Sequence, residues 1–180
     1  MRELYEVWPS ILKDEQINNI IEVALQKPAK KSTIFSSNDS LQSVRKSSIR
    51  WLPEEWIKDL LWEYIKKANV KSFNFNVEKN AEVQFTEYHS NQRHHYDWHH
   101  DIDWNSANNK DRKLSITVQL SDGDDYKGGE FEFDEVKTNA DFKSKGTILI
   151  FPSYLRHRVL PVTSGTRRSL VAWFYGPKWK

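Results

Sequence analysis

The sequence predicts an α+β domain in which N-terminal helices brace a double-stranded β-helix, or jelly roll, and three observations lead there. Amphipathic helical patterns fall within the first 70 residues. After residue 70 the texture changes to short β-rich runs separated by Gly, Asp, Asn and Lys clusters. Helices followed by strands, rather than alternating with them, give a segregated architecture with helices against an antiparallel sheet. At 180 residues the chain fits one domain over 1–180, with 1–70 as helical support and 71–180 as jelly-roll core. It shows no internal repeat and no linker.

Residues 14–27, DEQINNIIEVALQK, put Ile17, Ile20, Ile21, Ala24 and Leu25 at helical spacing, with acids early and Lys27 late as the helix dipole favours. Pro28 ends this helix, because proline lacks the amide proton that a helix interior needs. The Ser- and Lys-rich stretch 27–48 then reads as a solvated surface connection. Pro53 starts a second helix with Trp56, Leu60, Leu61, Tyr64 and Ile65 as its expected buried stripe, ending near Asn69. The expected strands are SFNFNV (72–77), AEVQFTEY (81–88), LSITVQL (114–120), GEFEFDEV (129–136), GTILIF (146–151) and RRSLVAWFY (167–175). Gly128-Gly129 reads as a tight turn where a side chain would block the backbone.

Charged residues make up 29% of the chain and the mean hydropathy is -0.77, yet aromatics reach 13% with eight Trp, so a polar exterior surrounds an aromatic core or cleft. The net charge of +2 comes from 27 basic and 25 acidic residues spread along the chain, which argues against a nucleic-acid or membrane partner. With no cysteine, disulfides, zinc-thiolate sites and thiol catalysis are excluded together, and any metal must use His and carboxylate. Without an apolar leader or a run long enough to cross a membrane, the expectation is a soluble cytoplasmic protein.

Five of the six His residues fall between 89 and 100, and the sixth, His157, follows the strand-like run GTILIFPS. Two His and one carboxylate on one face of an iron leave its other positions open for a bidentate co-substrate and oxygen, the donor set of iron(II) oxygenases. His95-x-Asp97 and His99-x-Asp101 both qualify for two of the ligands, since residues i and i+2 share a face of an extended strand. Spacing does not choose between them. Towards the C-terminus Arg167, Ser169, Val171 and Trp173 share one strand face. A planar guanidinium with a hydroxyl beside it suits the distal carboxylate of a dicarboxylic co-substrate.

The stretches YDWHHD, RKLSITVQLS, YKGGEFEF and FPSYLRHRVLPVTSGTRRSLVAW resemble iron and 2-oxoglutarate-dependent oxygenases of the prolyl 4-hydroxylase type, and more closely a bacterial and phage branch of them. The resemblance runs from about Arg50 to Lys180. It implies iron(II), 2-oxoglutarate and oxygen as cofactors, with ascorbate in support. Tyr96 fits the family's Tyr-x-x-His-x-Asp, which selects His99 and Asp101 and makes His157 the distal ligand. By the same resemblance Arg167 takes the distal carboxylate, Tyr88 assists co-substrate binding, and Arg112 stands where related peptide hydroxylases contact substrate. Many prolyl hydroxylases carry Lys in place of Arg167. Trp98, Trp104 and Trp173 are candidates to line the groove over the iron, Trp173 foremost because it shares the face of Arg167.

The expected function is hydroxylation of an unactivated C–H bond, with a prolyl residue in a peptide or protein as first choice. A free amino acid or other small molecule is the runner-up, and an alkylated nucleobase the third, since no basic stripe interleaved with aromatics accompanies the motifs. A non-catalytic jelly roll binding a metal through the same residues is the alternative of a different class. Oligomeric state is open at this level.

Overall fold

The computed structural model describes residues 3–32, 44–105, 107, 109–137 and 140–180. Residues 33–43 of the connection read from the sequence lie outside that set. The chain runs β1 (Glu6–Trp8), α1 (Asp14–Leu25), β2 (Lys30–Lys31), β3 (Arg45–Lys46), β4 (Ser48–Trp51), α2 (Glu55–Ala68) and β5 (Ala81–His89). It continues with β6 (His95–His99), β7 (Lys110–Gln119), β8 (Tyr126–Gly128), β9 (Phe131–Phe133), β10 (Ile148–Pro152), β11 (His157–Val159) and β12 (Val162–Pro177).

The strands form two antiparallel sheets. The larger is ordered β1-β10-β7-β12-β5-β4-β2, with β8 paired to β12, and the smaller is β3-β6-β11-β9. Alternation along each central strand decides what goes where. In β12, Leu170, Ala172 and Phe174 are fully buried against the helices, together with Phe85 of β5, Leu114, Ile116 and Val118 of β7, and Ile148 and Ile150 of β10. The intervening residues of the same strands face the smaller sheet, and that inter-sheet space holds the site. The jelly roll expected from the sequence is therefore the fold.

Each helix docks through a stripe spaced by about one turn. In α1 the buried residues are Ile17, Ile20 and Ala24, while Leu25 is 48% exposed. In α2 the stripe is Ile57, Leu61, Ile65 and Ala68, displaced from the expected one: Leu60 and Tyr64 flank it half-buried and Trp56 points outward. The i, i+4 ladder 57–61–65 outweighs the bulk of the neighbouring aromatics. Leu61→Ala should lower stability by about 2–5 kcal/mol, because the cavity forms between a helix and a sheet that cannot collapse onto it. The shift of the urea midpoint measures this.

The run SFNFNV is not a strand. A π-helical turn, Asn69–Phe73, extends α2 and is closed by Asn74 in the left-handed region at φ 53°. The Asn69 side chain fixes the exit by accepting from the Phe75 amide at 2.8 Å and donating to the Phe75 carbonyl at 2.9 Å. Asn tolerates that backbone better than most residues, so the Phe73/Phe75 alternation packs as a loop. Similarly, only Phe131–Phe133 of GEFEFDEV is in a strand.

Glu87 on β5 ties three strands together, pairing with Arg50 of β4 and accepting from Arg168 Nε of β12 at 3.1 Å. Burial by itself would raise its carboxyl, but the two guanidiniums outweigh burial and hold it below the usual carboxylate value. A carboxyl lowered on folding stabilises above its unfolded pKa, and that contribution is lost as pH falls below it. Glu87→Gln is expected to cost about 1–3 kcal/mol at pH 7. Its urea midpoint should also fall less steeply on acidification than that of the unaltered protein.

Candidate metal and co-substrate site

β6 and β11 pair with His99 directly opposite His157, so the two imidazoles meet through cross-strand register. Asp101 lies two residues past the end of β6, in a bend. Its amide donates to the Ser153 carbonyl at 3.0 Å, and Ser115 Oγ donates to its Oδ2 at 2.6 Å. Arg112 Nη1 holds the Asp101 carbonyl at 3.2 Å. The carboxylate is thus returned to the His pair by contacts with the strands around it, and the expected extended i, i+2 geometry is replaced by this bend.

Each imidazole is aimed by a backbone carbonyl. His99 Nδ1–H donates to Asp97 O at 2.7 Å, and His157 Nδ1–H donates to Leu155 O at 2.9 Å. A carbonyl only accepts, so Nδ1 carries the proton and Nε2 presents a lone pair. Both Nε2 atoms lie 3.6 Å from an Asp101 carboxylate oxygen. Burial pushes His157 down to about 4, with His99 acting in the same direction, so its ring is neutral at pH 7. The Asp101 carboxyl lies well below the usual range despite its burial, with the Ser115 hydroxyl donating to Oδ2. Two imidazole nitrogens, one carboxylate and no thiolate form a donor set suited to iron(II).

Among the described residues His99, Asp101 and His157 form the one group of three whose ligand atoms all lie within 4.8 Å of one another. The rival pair does not converge: His95 Nδ1 turns to Arg93 O and Asp97 Oδ1 takes the Trp98 amide. His100 is bound to Tyr154 O and His89 to Thr166 Oγ1.

One cavity between the sheets is lined by the triad and by Arg167, Ser169, Tyr88, Tyr96 and Trp173, all singled out from the sequence. Chemistry rather than size picks it out, since a roomier cleft of about 450 Å³ beside Trp51 and Lys58 has no imidazole in its wall. Phe131 and Phe151 pack on the His157 ring, with centroids at 5.3 and 4.8 Å, and keep that side of the cavity apolar. Arg167 is 4% exposed, and among the described residues it forms no ion pair. Its guanidinium sits 5.6 Å from the Tyr88 ring centroid, and Nη1 reaches Ser169 Oγ at 3.4 Å. The Gly128-Gly129 turn helps seat it: Gly129 has φ +67°, and a Cβ there would lie 3.0 Å from Arg167 Cδ. Burial raises Tyr96 to about 12, so it keeps its phenolic proton.

A family model described as the 2OG-Fe(II) oxygenase superfamily matches residues 83–175, the segment from β5 to β12 that carries all of these groups. The chain belongs to the 2OG-Fe(II) oxygenase superfamily. Within it, a PKHD-type hydroxylase of Synechococcus sp. (strain CC9311) is 43% identical over 79 residues, covering 43% of this chain and 35% of that protein. The chain thus spans about a third of the length of that curated relative. The fold is shared with the viral collagen prolyl hydroxylase of Paramecium Bursaria Chlorella virus-1, solved with 2OG, at a TM-score of 0.72 and 22% identity over 97% of each chain. A Pseudomonas putida prolyl-4-hydroxylase superposes with a TM-score of 0.73 at 18% identity, covering 95% of this chain and 92% of that one.

Three residues expected at the site lie outside the cavity wall, Trp98 among them with Arg158 4.4 Å over its ring. Trp104 is 60% exposed and outside the cavity wall. Arg112 stands one layer back, stacked 4.1 Å over Trp173 and bound to Glu82 and Tyr175. Conversely, sequence reading missed Arg45 and Gln84, which line the cavity and bond each other at 2.6 Å. Arg45 also lies 4.5 Å over the Tyr96 ring. No local pattern marks Arg45, because it sits in a Ser- and Lys-rich stretch. Gln84 alternates with apolar Val83 and Phe85, which is a legible sign of the second strand face. Among the described residues no helix is long and apolar enough to cross a membrane.

Proposed function

We propose that this chain is an iron(II)- and 2-oxoglutarate-dependent dioxygenase that hydroxylates an unactivated C–H bond, with a prolyl residue in a peptide or protein as the favoured substrate. The observation that carries the reading is Arg167: a guanidinium buried without a carboxylate partner among the described residues, in the same cavity as the His-Asp-His triad. A buried cation left unpaired costs stability unless an anion meets it in the working state.

In this reading His99, Asp101 and His157 hold iron(II), and Arg167 takes the 5-carboxylate of 2-oxoglutarate, with Tyr88 and Ser169 packing around it. Bound there, iron and co-substrate supply the oxidising power for hydroxylation, with succinate and carbon dioxide as by-products. Phe131 and Phe151 exclude water beside His157, while Tyr96 and Trp173 form the walls against which a substrate ring is oriented. Arg112 acts from behind, through Asp101 and Trp173, and Trp104 is left for the outer rim. The prolyl preference rests on the likeness to prolyl hydroxylases and the aromatic walls, and ascorbate enters on the same likeness. The cysteine-free composition suits a reducing cytoplasm.

Anaerobic addition of iron(II) and then 2-oxoglutarate tests this directly. A metal-to-ligand charge-transfer absorption band that requires both is the expected result, and its absence would favour a non-catalytic metal-binding module. Hydroxyproline found by mass spectrometry in a turned-over peptide library settles the substrate choice, and a hydroxylated free amino acid overturns it.

A further inference from the structure

Arg45 lines both the cavity that holds the triad and a second cleft of about 370 Å³, whose walls also carry Lys30, Lys31 and Lys46. Among the described residues none of these four cations forms an ion pair. Elsewhere cations are commonly matched, as in Lys71 with Glu6, Lys110 with Glu78, Arg158 with Glu132 and Lys143 with Glu130. No Asp or Glu is among the described residues lining the cleft. Like charges gathered without counter-charges repel one another, and an anionic ligand relieves that repulsion.

The backbone says what form the anion takes. Among the described residues β2 is an edge of the larger sheet and β3 an edge of the smaller, and the chain passes from the smaller to the larger sheet through buried Ser47. Two sheet edges therefore border the cleft, each able to pair with an extended chain. Among the described residues no Phe, Tyr or Trp lines it, so these walls offer no stacking platform of the kind that holds single-stranded nucleic acid.

We infer that the substrate is an extended protein segment with acidic residues beside the target residue, seated by Lys30, Lys31, Arg45 and Lys46 in this cleft. The inference rests on the oxygenase reading and names the substrate class for it. Arg45 is the link between the two: it donates to Ser47 Oγ at 3.2 Å on the cleft side and lies over Tyr96 in the metal cavity.

Fluorescence anisotropy with a labelled peptide carrying one proline flanked by Glu, its Gln counterpart, and a single-stranded oligothymidylate of equal charge tests the assignment. The Glu peptide should bind roughly tenfold tighter than the Gln peptide at low salt, with the advantage largely gone at about 0.5 M salt. The side chains of Lys30, Lys31 and Lys46 are exposed, so the triple variant Lys30→Glu, Lys31→Glu, Lys46→Glu should keep the parent melting temperature and lose the preference. Equal binding of the two peptides by the unaltered protein, a preference that survives in the triple variant, or an oligonucleotide that outcompetes the Glu peptide each overturns the assignment. The charge-transfer band separates this from the parent reading. A triple variant with the band but no acidic preference supports the cleft, and a preference without any band upholds the cleft while sinking the oxygenase.

Discussion

Asp101→Ala is expected to bring succinate formation from 2-oxoglutarate, with a proline-containing peptide present, down to a protein-free blank, while His95→Ala leaves it unchanged. Both residues belong to His-x-Asp pairs with the same spacing, so the contrast depends wholly on the fold. His95 turns its Nδ1 to a neighbouring carbonyl, whereas Asp101 meets His99 and His157 Nε2 at 3.6 Å each. Removing Asp101 deletes the one anionic donor of the set and leaves only two imidazoles to hold a divalent ion. The supporting hydroxyl provides a graded companion: Ser115→Ala keeps all three ligands but frees Asp101 Oδ2, and should weaken metal binding by about 10–100-fold. Titration of iron(II) followed by the charge-transfer band measures both. Wild-type turnover in Asp101→Ala would remove the triad from the mechanism.

Why spacing failed to separate the two pairs has a physical basis. His95, Asp97, His99 and Asp101 are all odd-numbered, so a period-2 reading puts them on one face. What separates them is the β6–β11 register, with His157 opposite His99, together with the bend that carries Asp101 to Ser115 and Ser153. Both are long-range contacts with no local signature. The opposite wall was legible for the converse reason. Over 166–174 β12 keeps an unbroken register with β5, and Leu170, Ala172 and Phe174 identify the core face, so Arg167, Ser169 and Trp173 must line the other. Periodicity misled where side chains of mixed size compete, as on α2, and where one residue changes the backbone region, as Asn74 does in a run of alternating Phe. The basic cleft was hidden for a topological reason: Lys30 and Lys31 lie on a different sheet from Arg45 and Lys46, and only the chain crossing at Ser47 places them together.

Arg167→Met should raise the 2-oxoglutarate requirement by roughly 10–100-fold, the equivalent of losing charge-assisted hydrogen bonds worth about 1.5–3 kcal/mol. Iron binding should stay intact, because no ligand atom is touched. Stability gives the sharper discrimination. If Arg167 were a structural residue, its loss would destabilise the protein. Here it is a buried cation without a carboxylate partner among the described residues, so the unliganded protein already bears its desolvation cost. Methionine keeps the volume of the stem beside Gly129 and Tyr88 and removes the charge, so the metal-free variant should unfold at a urea concentration equal to or above that of the parent. Added 2-oxoglutarate should stabilise the iron-loaded parent by mass action and leave the variant unmoved over the same range. Arg167→Lys keeps the charge but loses the planar two-pronged donor, and should fall between them. A variant that is destabilised, yet binds 2-oxoglutarate as the parent does, would show that the guanidinium serves the fold and not the co-substrate.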